Sequence, residues 1–342
     1  MFQNETSRNR GSGLDANTQC KILVTGGGGF IGSHLVDALL GSYPNAIVTV
    51  LDAFTYAADY RNLLMAGATG RLGILRGSVE DCDLLDRAVR GVALVCHVAA
   101  ESHVPRSFAD PELFDRVNRL GTRNVLAAAL EAGVPRVLHF STDEVYGSRV
   151  TPADEETVLA PTSPYAISKA EAEAEVERFR SAGLDVTILR PSNVVGPRQH
   201  REKLVPRFIE HARAGLPFPI EGSGRQRRTF LSVSDLMAAV LLVLERGERN
   251  GTYNVAGRET LTVIEAARAI GEALGTDCWF DYVADRPVND QAHMLDGSRL
   301  AALGFRQRGN FRQAVLEAAR WMRIPAHSGA WVSSLILGEV AA

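Results

Sequence analysis

The chain has 342 residues, 46% of them hydrophobic and 23% charged, and its formal net charge is -3. This length and composition are typical of a soluble globular protein with one α/β domain, alone or with a smaller lobe. The net charge argues against a nucleic-acid partner, and no apolar run is long enough to span a membrane. The four cysteines lack metal-ligand spacing, and reduced thiols of this kind predict a cytoplasmic protein.

The first half of the chain predicts an extension followed by alternating strands and helices. Residues 1–19 are polar and rich in Asn, Ser and Gly, which predicts a disordered extension. Apolar runs then alternate with amphipathic stretches, as in a Rossmann-type doubly wound parallel sheet of the α/β class. The predicted strands span 21–25, 46–52, 72–76, 93–98, 137–141 and 185–190, and the predicted helices span 31–40, 83–89, 111–132 and 164–182.

Beyond residue 190 the regular alternation ends. Loops rich in Pro and Gly separate predicted helices at 204–214, 233–245, 261–274 and 310–322, which indicates a smaller, mostly helical C-terminal substrate lobe. Residues 253–255 are predicted to return to the sheet. The predicted division is an extension (1–19), a Rossmann domain (20–192) with a return segment near 228–256, an interleaved lobe (193–325) and an apolar tail (326–342).

A Gly-x-x-Gly-x-x-Gly turn joins the first predicted strand to the first predicted helix. Gly26, Gly29 and Gly32 allow a tight turn and let the backbone approach a pyrophosphate at a helix N-terminus. Asp52 ends the next strand. A carboxylate at this place accepts hydrogen bonds from the ribose hydroxyls of NAD and repels the 2′-phosphate of NADP, so NAD is favoured over NADP. The alternative is a plain strand-to-helix turn. The other residues predicted to line the NAD site are Phe30, Ile31, Ser78, Val79, Ala99, Ala100, Tyr165 and Lys169.

Tyr165 and Lys169 are four residues apart and share one face of a predicted helix. A nearby ammonium and the positive charge of oxidised nicotinamide favour the phenolate, which predicts a lowered tyrosine pKa. The phenolate can then take a hydroxyl proton while the carbinol hydrogen leaves as hydride. Ser141 and Thr142 end the preceding strand, and they favour this catalytic interpretation over a solvated helix face.

Three runs carry a resemblance to a known family: Thr-Asp-Glu at 142–144, Ala-Ala-Glu-Ser-His-Val at 99–104 and Asp-Ala-Phe-Thr-Tyr-Ala at 52–57. They resemble the dTDP-glucose 4,6-dehydratases, which are extended short-chain dehydrogenase/reductases acting on nucleotide sugars. The resemblance extends over about 21–321. It implies an NAD-dependent lyase of deoxysugar biosynthesis that converts a nucleoside diphosphate hexose into its 4-keto-6-deoxy derivative. It also implies a homodimer.

The resemblance assigns roles at the chemical centre. Glu144 would remove the C5 proton, which is acidic once C4 is a ketone, and Asp143 would protonate the departing C6 hydroxyl. Thr142 would form a hydrogen bond with the C4 oxygen, alongside Tyr165. A 4-epimerase or a decarboxylase of the same family is the alternative, although only the 5,6-elimination uses both carboxylates. A non-catalytic dinucleotide sensor would need Asp52 and the glycines but not the catalytic set.

The resemblance also implies contacts with the sugar nucleotide. The implied substrate-binding residues are Ser102, His103, Asn193, Lys203, Leu204, Glu221, Arg228 and Asn254. Arg228 suits a diphosphate because a guanidinium can bind it with two parallel hydrogen bonds. It lies in a cluster with Arg225 and Arg227, however, so a surface charge is the alternative interpretation.

The chain departs from the family pattern around the nucleotide. Glu221 replaces a tyrosine near the base, and Ala292-His293 replaces an arginine–tyrosine pair. Pro105 and Thr229 each stand where the family has an aspartate. These departures lead to the hypothesis that the enzyme acts on a non-thymidine nucleotide, with Glu221 accepting hydrogen bonds from amino or imino groups of another base.

Overall fold

The computed structural model describes residues 18–323 and the backbone of residues 336–339. The strands are β1 (Cys20–Thr25), β2 (Ala46–Asp52), β3 (Leu72–Arg76), β4 (Leu94–His97), β5 (Val137–Phe140), β6 (Val186–Pro191), β7 (Asn193–Val195), β8 (Phe218–Glu221), β9 (Arg227–Ser232), β10 (Thr252–Val255), β11 (Glu259–Thr262), β12 (Phe280–Val283), β13 (Ala292–His293) and β14 (Ile336–Glu339). The helices are α1 (Phe30–Ser42), α2 (Leu64–Gly67), α3 (Cys82–Ala88), α4 (Val104–Ala109), α5 (Pro111–Phe114), α6 (Gly121–Glu131), α7 (Pro164–Ser181), α8 (Leu204–Ala214), α9 (Val233–Arg246), α10 (Val263–Leu274), α11 (Ser298–Ala302) and α12 (Phe311–Trp321). The turns Tyr60–Leu63 and Asp143–Tyr146 are 3-10 helical, and Asp115–Leu120 is π-helical.

A parallel sheet forms the centre of the molecule, in the order β10-β6-β5-β4-β1-β2-β3-β14. Alternate residues of β1 pack on opposite faces: Ile22 and Val24 belong to one core with α1 and α9, and Leu23 belongs to the other with α3, α6 and α7. Both faces are therefore buried, which explains the nearly continuous apolar character of the strands. The predicted Rossmann-type α/β fold is confirmed.

The second lobe contains more β-structure than the sequence analysis predicted. β7, β9, β11 and β13 form one small sheet, and β8 pairs with β12 in another. Helices α8, α10 and α12 cover a third core that includes Phe208, Ile270 and Val315. Helical residues still outnumber strand residues in this lobe, as predicted, but its strands were not predicted. Its strands are two to six residues long, and most are too short to show the alternation that identifies a strand in a sequence.

The two ends of the chain lie mostly outside the described residues. Of the predicted extension only residues 18 and 19 are described, and of the predicted tail only the backbone of 336–339, which pairs in parallel with β3. β10, from the predicted return segment, lies beside β6 at the other edge of the sheet. The domain boundaries stay a prediction. Among the described helices, none combines the length and the apolarity needed to cross a membrane.

A buried ion pair connects α7 to β6 behind the cavity. Arg190 Nε and Nη2 donate to the two carboxyl oxygens of Glu173 at 2.9 and 2.5 Å. Arg190 Nη1 also donates to Tyr146 Oη at 2.6 Å, so the same guanidinium holds the turn Asp143–Tyr146. The side chains of Arg190 and Glu173 are only 8% and 4% exposed. Removing one partner would leave the other charge buried and unpaired.

We expect Glu173→Ala to lower the free energy of unfolding by about 3–5 kcal/mol, because Arg190 then has no counter-ion in a desolvated site. Denaturant unfolding monitored by circular dichroism measures this change. Glu171→Ala on the same helix is the matched control, since Glu171 is half exposed and lies 3.6 Å from Arg119. Equal losses in the two variants would contradict the prediction.

Candidate active site

A cavity of about 630 Å³ lies between the carboxyl ends of the sheet strands and the second lobe. One wall consists of residues that end or follow β1, β2, β3, β4, β5 and β6, and the other includes residues of α8, β8 and β9. Its size is that of a ligand site, and its position matches the crevice where open parallel sheets bind ligands. Every predicted site residue except Asn254 lines this cavity.

The glycine turn is a part of the cavity wall where a ligand can approach the backbone closely. Gly26 has a φ of +72°, and a Cβ there would lie 2.6 Å from the Ala99 nitrogen. A Cβ on Gly32 would lie 2.1 Å from the Gly26 carbonyl oxygen. Gly29 is the N-cap of α1 and offers no capping side chain. The first amides of a 13-residue helix are therefore available at the cavity wall, which fits a dinucleotide pyrophosphate.

Asp52 is fixed at the end of β2 by two backbone donors. Its carboxyl oxygens accept hydrogen bonds from Gly28 N at 2.8 Å and Phe54 N at 2.7 Å. Burial raises the pKa of Asp52, and these two N–H groups oppose the rise. The carboxylate stands where the adenosine ribose of NAD would lie. The other predicted NAD-site residues outside the catalytic set also line the cavity: Phe30, Ile31, Ser78, Val79, Ala99 and Ala100.

Thr142 begins the 3-10 turn that carries both acidic side chains. Its Oγ1 accepts a hydrogen bond from Glu144 N at 3.3 Å and donates to Asp143 Oδ1 at 3.2 Å. The turn follows β5 directly, and β6 anchors its start because Ser141 N donates to Leu189 O at 2.7 Å. One short turn therefore brings a hydroxyl and two carboxyl groups into the cavity.

Helix α7 brings Tyr165 and Lys169 into the same cavity. Lys169 Nζ donates to Phe140 O at 2.6 Å, and burial lowers the pKa of Lys169 to about 8. Burial and the Glu144 carboxylate raise the pKa of Tyr165, while a hydrogen bond with Thr142 opposes the rise. The side chains of the protein therefore do not lower this pKa, contrary to the expectation from the sequence. Lowering this pKa would require the positive charge of the oxidised nicotinamide, the second cause that the sequence analysis named.

Asp143 is well suited to donate a proton. It is 2% exposed, and its Oδ2 has no hydrogen-bond partner among the described residues. Burial raises the pKa of Asp143 to about 6; Glu144 adds to the rise, whereas His293 and Arg228 oppose it. A carboxyl group with this pKa is still partly protonated near neutral pH, as a general acid requires.

The predicted substrate contacts Ser102, His103, Asn193, Lys203 and Leu204 come together in the cavity wall. Lys203 Nζ donates to Ser102 O at 2.5 Å, which joins the second lobe to the loop after β4. Burial lowers the pKa of Lys203. Asn193 Oδ1 is buried and has no hydrogen-bond partner within the described part of the chain, so it can accept from a ligand.

Arg228 lines the same cavity as Asp143 and Glu144. Its Nη1 donates to Asp290 O at 2.9 Å and its Nη2 to Asn289 Oδ1 at 3.2 Å. Burial lowers the pKa of Arg228, and the Glu144 carboxylate opposes this effect. Arg228 is therefore a partly buried charge in the cavity wall rather than part of a solvated surface cluster.

Glu221 is held by an arginine that the sequence analysis missed. Its Oε2 lies 2.8 Å from Arg286 Nη2 and accepts from Arg286 Nε at 3.0 Å, and its Oε1 lies 4.0 Å from Arg207. Arg207 and Arg286 also line the cavity. Arg286 belongs to an irregular segment between β12 and β13, where no periodic pattern distinguishes it from a surface charge.

Asn254 does not lie in the cavity, which corrects its predicted role as a substrate contact. It is fully buried on β10, and its Oδ1 accepts from Tyr146 Oη at 2.9 Å. Its Nδ2 donates to Ala153 O at 2.8 Å and Asp296 O at 3.1 Å. Both amide hydrogens and the carbonyl oxygen are thus used internally. Asn254 therefore connects the turn Asp143–Tyr146 to β10.

These features define a class of protein, a Rossmann-type enzyme that uses a dinucleotide. They are the glycine turn at a helix N-terminus, the carboxylate at the end of β2 and the Tyr165–Lys169 pair. The profile of the NAD dependent epimerase/dehydratase family matches residues 22–256, and the chain belongs to this family.

Individual relatives agree with this membership. The chain is 40% identical over 312 residues to the dTDP-glucose 4,6-dehydratase of Streptomyces niveus, an alignment that covers 89% of this chain and 93% of the relative. The crystal structure of DesIV (dTDP-glucose 4,6-dehydratase) from Streptomyces venezuelae with NAD and TYD bound has 41% identity and a TM-score of 0.85, over 89% and 97% of the two chains. The UDP-glucose 4-epimerase of Thermus thermophilus in complex with NAD has 32% identity and a TM-score of 0.82, over 89% and 99%.

We expect Asp143→Asn to stabilise the protein more at pH 8 than at pH 4. The folded state holds the Asp143 proton more tightly than the unfolded chain, because the pKa rises from 3.8 to about 6. The wild type therefore loses stability as pH rises through the folded pKa, and the variant does not. The free energy of unfolding of the variant minus that of the wild type should grow by about 1–3 kcal/mol from pH 4 to pH 8. Urea unfolding at each pH measures it, and a constant difference would contradict the prediction.

Proposed function

We propose that this chain is an NAD-dependent nucleotide-sugar 4,6-dehydratase that converts a dTDP-glucose-like nucleoside diphosphate hexose into the 4-keto-6-deoxyhexose, with loss of water. The observation that carries this proposal is that Asp143 and Glu144 enter one cavity from a single turn, beside Thr142 and Tyr165. The dehydratase relatives support it.

The chemistry follows from the positions of these side chains. NAD bound at the glycine turn and Asp52 would supply the reversible oxidation, that is, hydride acceptance at C4 and hydride return at C6. Tyr165 takes the proton of the C4 hydroxyl, and Thr142 forms a hydrogen bond with the same oxygen. Glu144 removes the C5 proton, which the C4 ketone has made acidic, and returns it at the end. Asp143 gives its proton to the C6 hydroxyl, which leaves as water.

A 4-epimerase or a decarboxylase is the alternative within the family. Both begin with oxidation at C4, but neither requires an acid at C6. The burial that raises the pKa of Asp143 to about 6 is therefore unexplained by those reactions. The Thermus thermophilus epimerase is also less similar in sequence to this chain, at 32% identity, than DesIV is, at 41%. These two observations favour dehydration.

The geometry changes the interpretation of the nucleotide site. The hypothesis of a non-thymidine base relied on Glu221 as a free acceptor. Glu221 instead pairs with Arg286, so its carboxylate is already engaged. This pairing and the dTDP-glucose dehydratase relatives favour dTDP-glucose as the first substrate to test.

We expect the purified protein to form a 4-keto-6-deoxy product from dTDP-glucose faster than from UDP-, GDP- or CDP-glucose, measured by mass spectrometry. Asp143→Asn should lower kcat by about 10²–10⁴-fold, because the leaving hydroxyl then lacks its acid. Glu156→Gln is the control, since this side chain is 79% exposed and does not line the cavity. Wild-type turnover by Asp143→Asn would refute the dehydratase proposal, and a clear preference for another nucleotide would restore the hypothesis of a different base.

We also propose a cytoplasmic homodimer in which α6 and α7 pair with their copies. Leu130 on α6 and Ile167 on α7 are 36% and 41% exposed, and Ala127 and Ala174 are exposed on the same two helices. Ala128 and Ala166 on the same helices pack in the core and are not available to a second copy. The four cysteines, all in the described part of the chain, are free thiols, which supports a reducing compartment.

The double variant Ile167→Glu and Ala174→Glu should be a monomer by light scattering, because the added charges would be desolvated in the interface. Val158→Glu is the control, since Val158 is 78% exposed and lies outside both helices. A wild type that is itself monomeric at micromolar concentration would overturn the dimer.

A further inference from the structure

A buried histidine at the end of β4 has no role in the chemistry above. His97 is paired in register with Thr25, which ends β1 just before the glycine turn. His97 is 1% exposed and does not line the cavity. Its Nδ1 lies 2.7 Å from Thr25 Oγ1, and its Nε2 lies 2.9 Å from Thr122 Oγ1 on α6. Both ring nitrogens are therefore engaged within the protein.

The hydrogen-bond partners of His97 fix the position of its proton. The Asn118 carbonyl oxygen can only accept, so its 2.5 Å contact with Thr122 Oγ1 uses the single hydroxyl hydrogen of Thr122. Thr122 Oγ1 must then accept from the Nε2–H of His97. Burial lowers the pKa of His97 to about 3, and Lys169 adds to the effect, so the ring is neutral and Nδ1 carries no proton. Nδ1 therefore accepts from the Thr25 hydroxyl.

This chain of hydrogen bonds holds the loop between β4 and α4 at two points. Thr25 Oγ1 accepts from Ala99 N at 3.3 Å. Asn118 Oδ1 accepts from Glu101 N at 2.8 Å, and Asn118 Nδ2 donates to Glu101 O at 2.9 Å. His97 therefore connects the two residues that anchor the loop. The loop contributes Val98, Ala99, Ala100, Glu101, Ser102 and His103 to the cavity wall.

Asn118 extends the same chain to α7. It lies in the π-helical segment Asp115–Leu120, and its Nδ2 also donates to Ser168 Oγ at 2.9 Å. Ser168 Oγ in turn donates to Tyr165 O at 2.8 Å. Both amide hydrogens of Asn118 and the hydroxyl hydrogen of Ser168 are thus used. The chain joins the residue before the glycine turn to the helical turn that carries Tyr165.

The relative placement of these elements matters for the oxidation at C4. Hydride transfer needs the reacting atoms about 3–3.5 Å apart, and a misplacement of about 1 Å can cost about 10²-fold in rate. The glycine turn is the place for the dinucleotide, whereas Tyr165 receives the proton of the C4 hydroxyl. A buried network with every polar group paired rigidifies the elements that it joins. The spacing between the two places is therefore set by this network.

We propose that His97, as the neutral Nε2–H tautomer, is a positioning residue that holds the glycine turn and the loop after β4 in register with Tyr165 for the oxidation at C4. His97 does not line the cavity, so it acts through Thr25 and Thr122. The inference rests on the proposed function, but only on its first step, which a 4-epimerase shares.

The first experiment locates the proton of His97 by nitrogen-15 NMR of the histidine rings in the protein without substrate. The wild type should carry the proton on Nε2, and His97→Asn assigns the signal. Thr122→Val keeps the shape of the side chain but removes the acceptor of Nε2–H. We expect the proton to move to Nδ1 in this variant, because Thr25 Oγ1 can still accept it.

The second experiment isolates the oxidation at C4 with dTDP-xylose, or the xylose derivative of whichever nucleotide the enzyme prefers. This sugar lacks C6 and cannot lose water, so the absorbance of reduced nicotinamide follows the hydride step alone in a single turnover. We expect Thr122→Val to slow this step by at least about tenfold per bound NAD, because the reacting groups are displaced. The Kd for NAD, measured by calorimetry, should stay near the wild-type value.

Two substitutions serve as controls. Thr122→Ser keeps the hydroxyl group and should keep the wild-type rate. Thr49→Val makes the same change at a partly buried threonine on β2 that does not line the cavity, and it should also keep that rate. Thr25→Val keeps the test decisive if Thr122→Val does not fold, since it removes the donor on the other side of the His97 ring.

The outcomes separate this inference from the proposed function. A wild-type proton on Nδ1, or a wild-type oxidation rate in Thr122→Val and Thr25→Val, would overturn the inference. A lower melting temperature with an unchanged rate per bound NAD would show a purely structural role and overturn it as well. Oxidation of the xylose substrate without a 4-keto-6-deoxy product from any nucleoside diphosphate glucose would refute the dehydration and leave the inference standing. A wild type that reduces no NAD with either sugar would refute both.

Discussion

Parallel pairing of the strands is the constraint on which the site depends, because it places the carboxyl ends of all the sheet strands at one edge. Gly26 follows β1, Asp52 ends β2, and Thr142 lies two residues after β5. These residues are far apart in sequence, yet they share one cavity. The second lobe closes this cavity with residues such as Lys203 and Arg228. No single segment of the chain could assemble the site alone.

Burial then determines the chemistry of the groups that the sheet collects. Desolvation disfavours every charged form, so it raises the pKa of Asp143 and Tyr165 and lowers that of Lys169. In the proposed reaction this effect helps Asp143, which would donate a proton, and hinders Tyr165, which would lose one. Lowering the pKa of Tyr165 would require a positive charge beside it, such as that of oxidised nicotinamide.

The sequence predicts the Rossmann half of the fold closely, and every site residue that it names except Asn254 lines the cavity. Apolar runs identify six of the sheet strands to within a residue or two, because strands buried on both faces have a strong pattern. The short strands of the second lobe were not predicted, since they depend on pairing with distant segments. Arg286 was missed and Asn254 misassigned for the same reason: hydrogen-bond partners and burial are properties of the folded chain. The pKa of Tyr165 likewise depends on its surroundings rather than on Lys169 alone.

The position of β14 has a consequence for how the sheet ends. An open sheet leaves unpaired N–H and C=O groups along its outer strands, where another chain can add a strand and start aggregation. β14 pairs with the outer side of β3, and the opposite edge is β10. Both outermost strands are only four residues long. Short terminal strands offer few hydrogen bonds to an incoming chain, so the C-terminal segment limits aggregation at the edge beside β3.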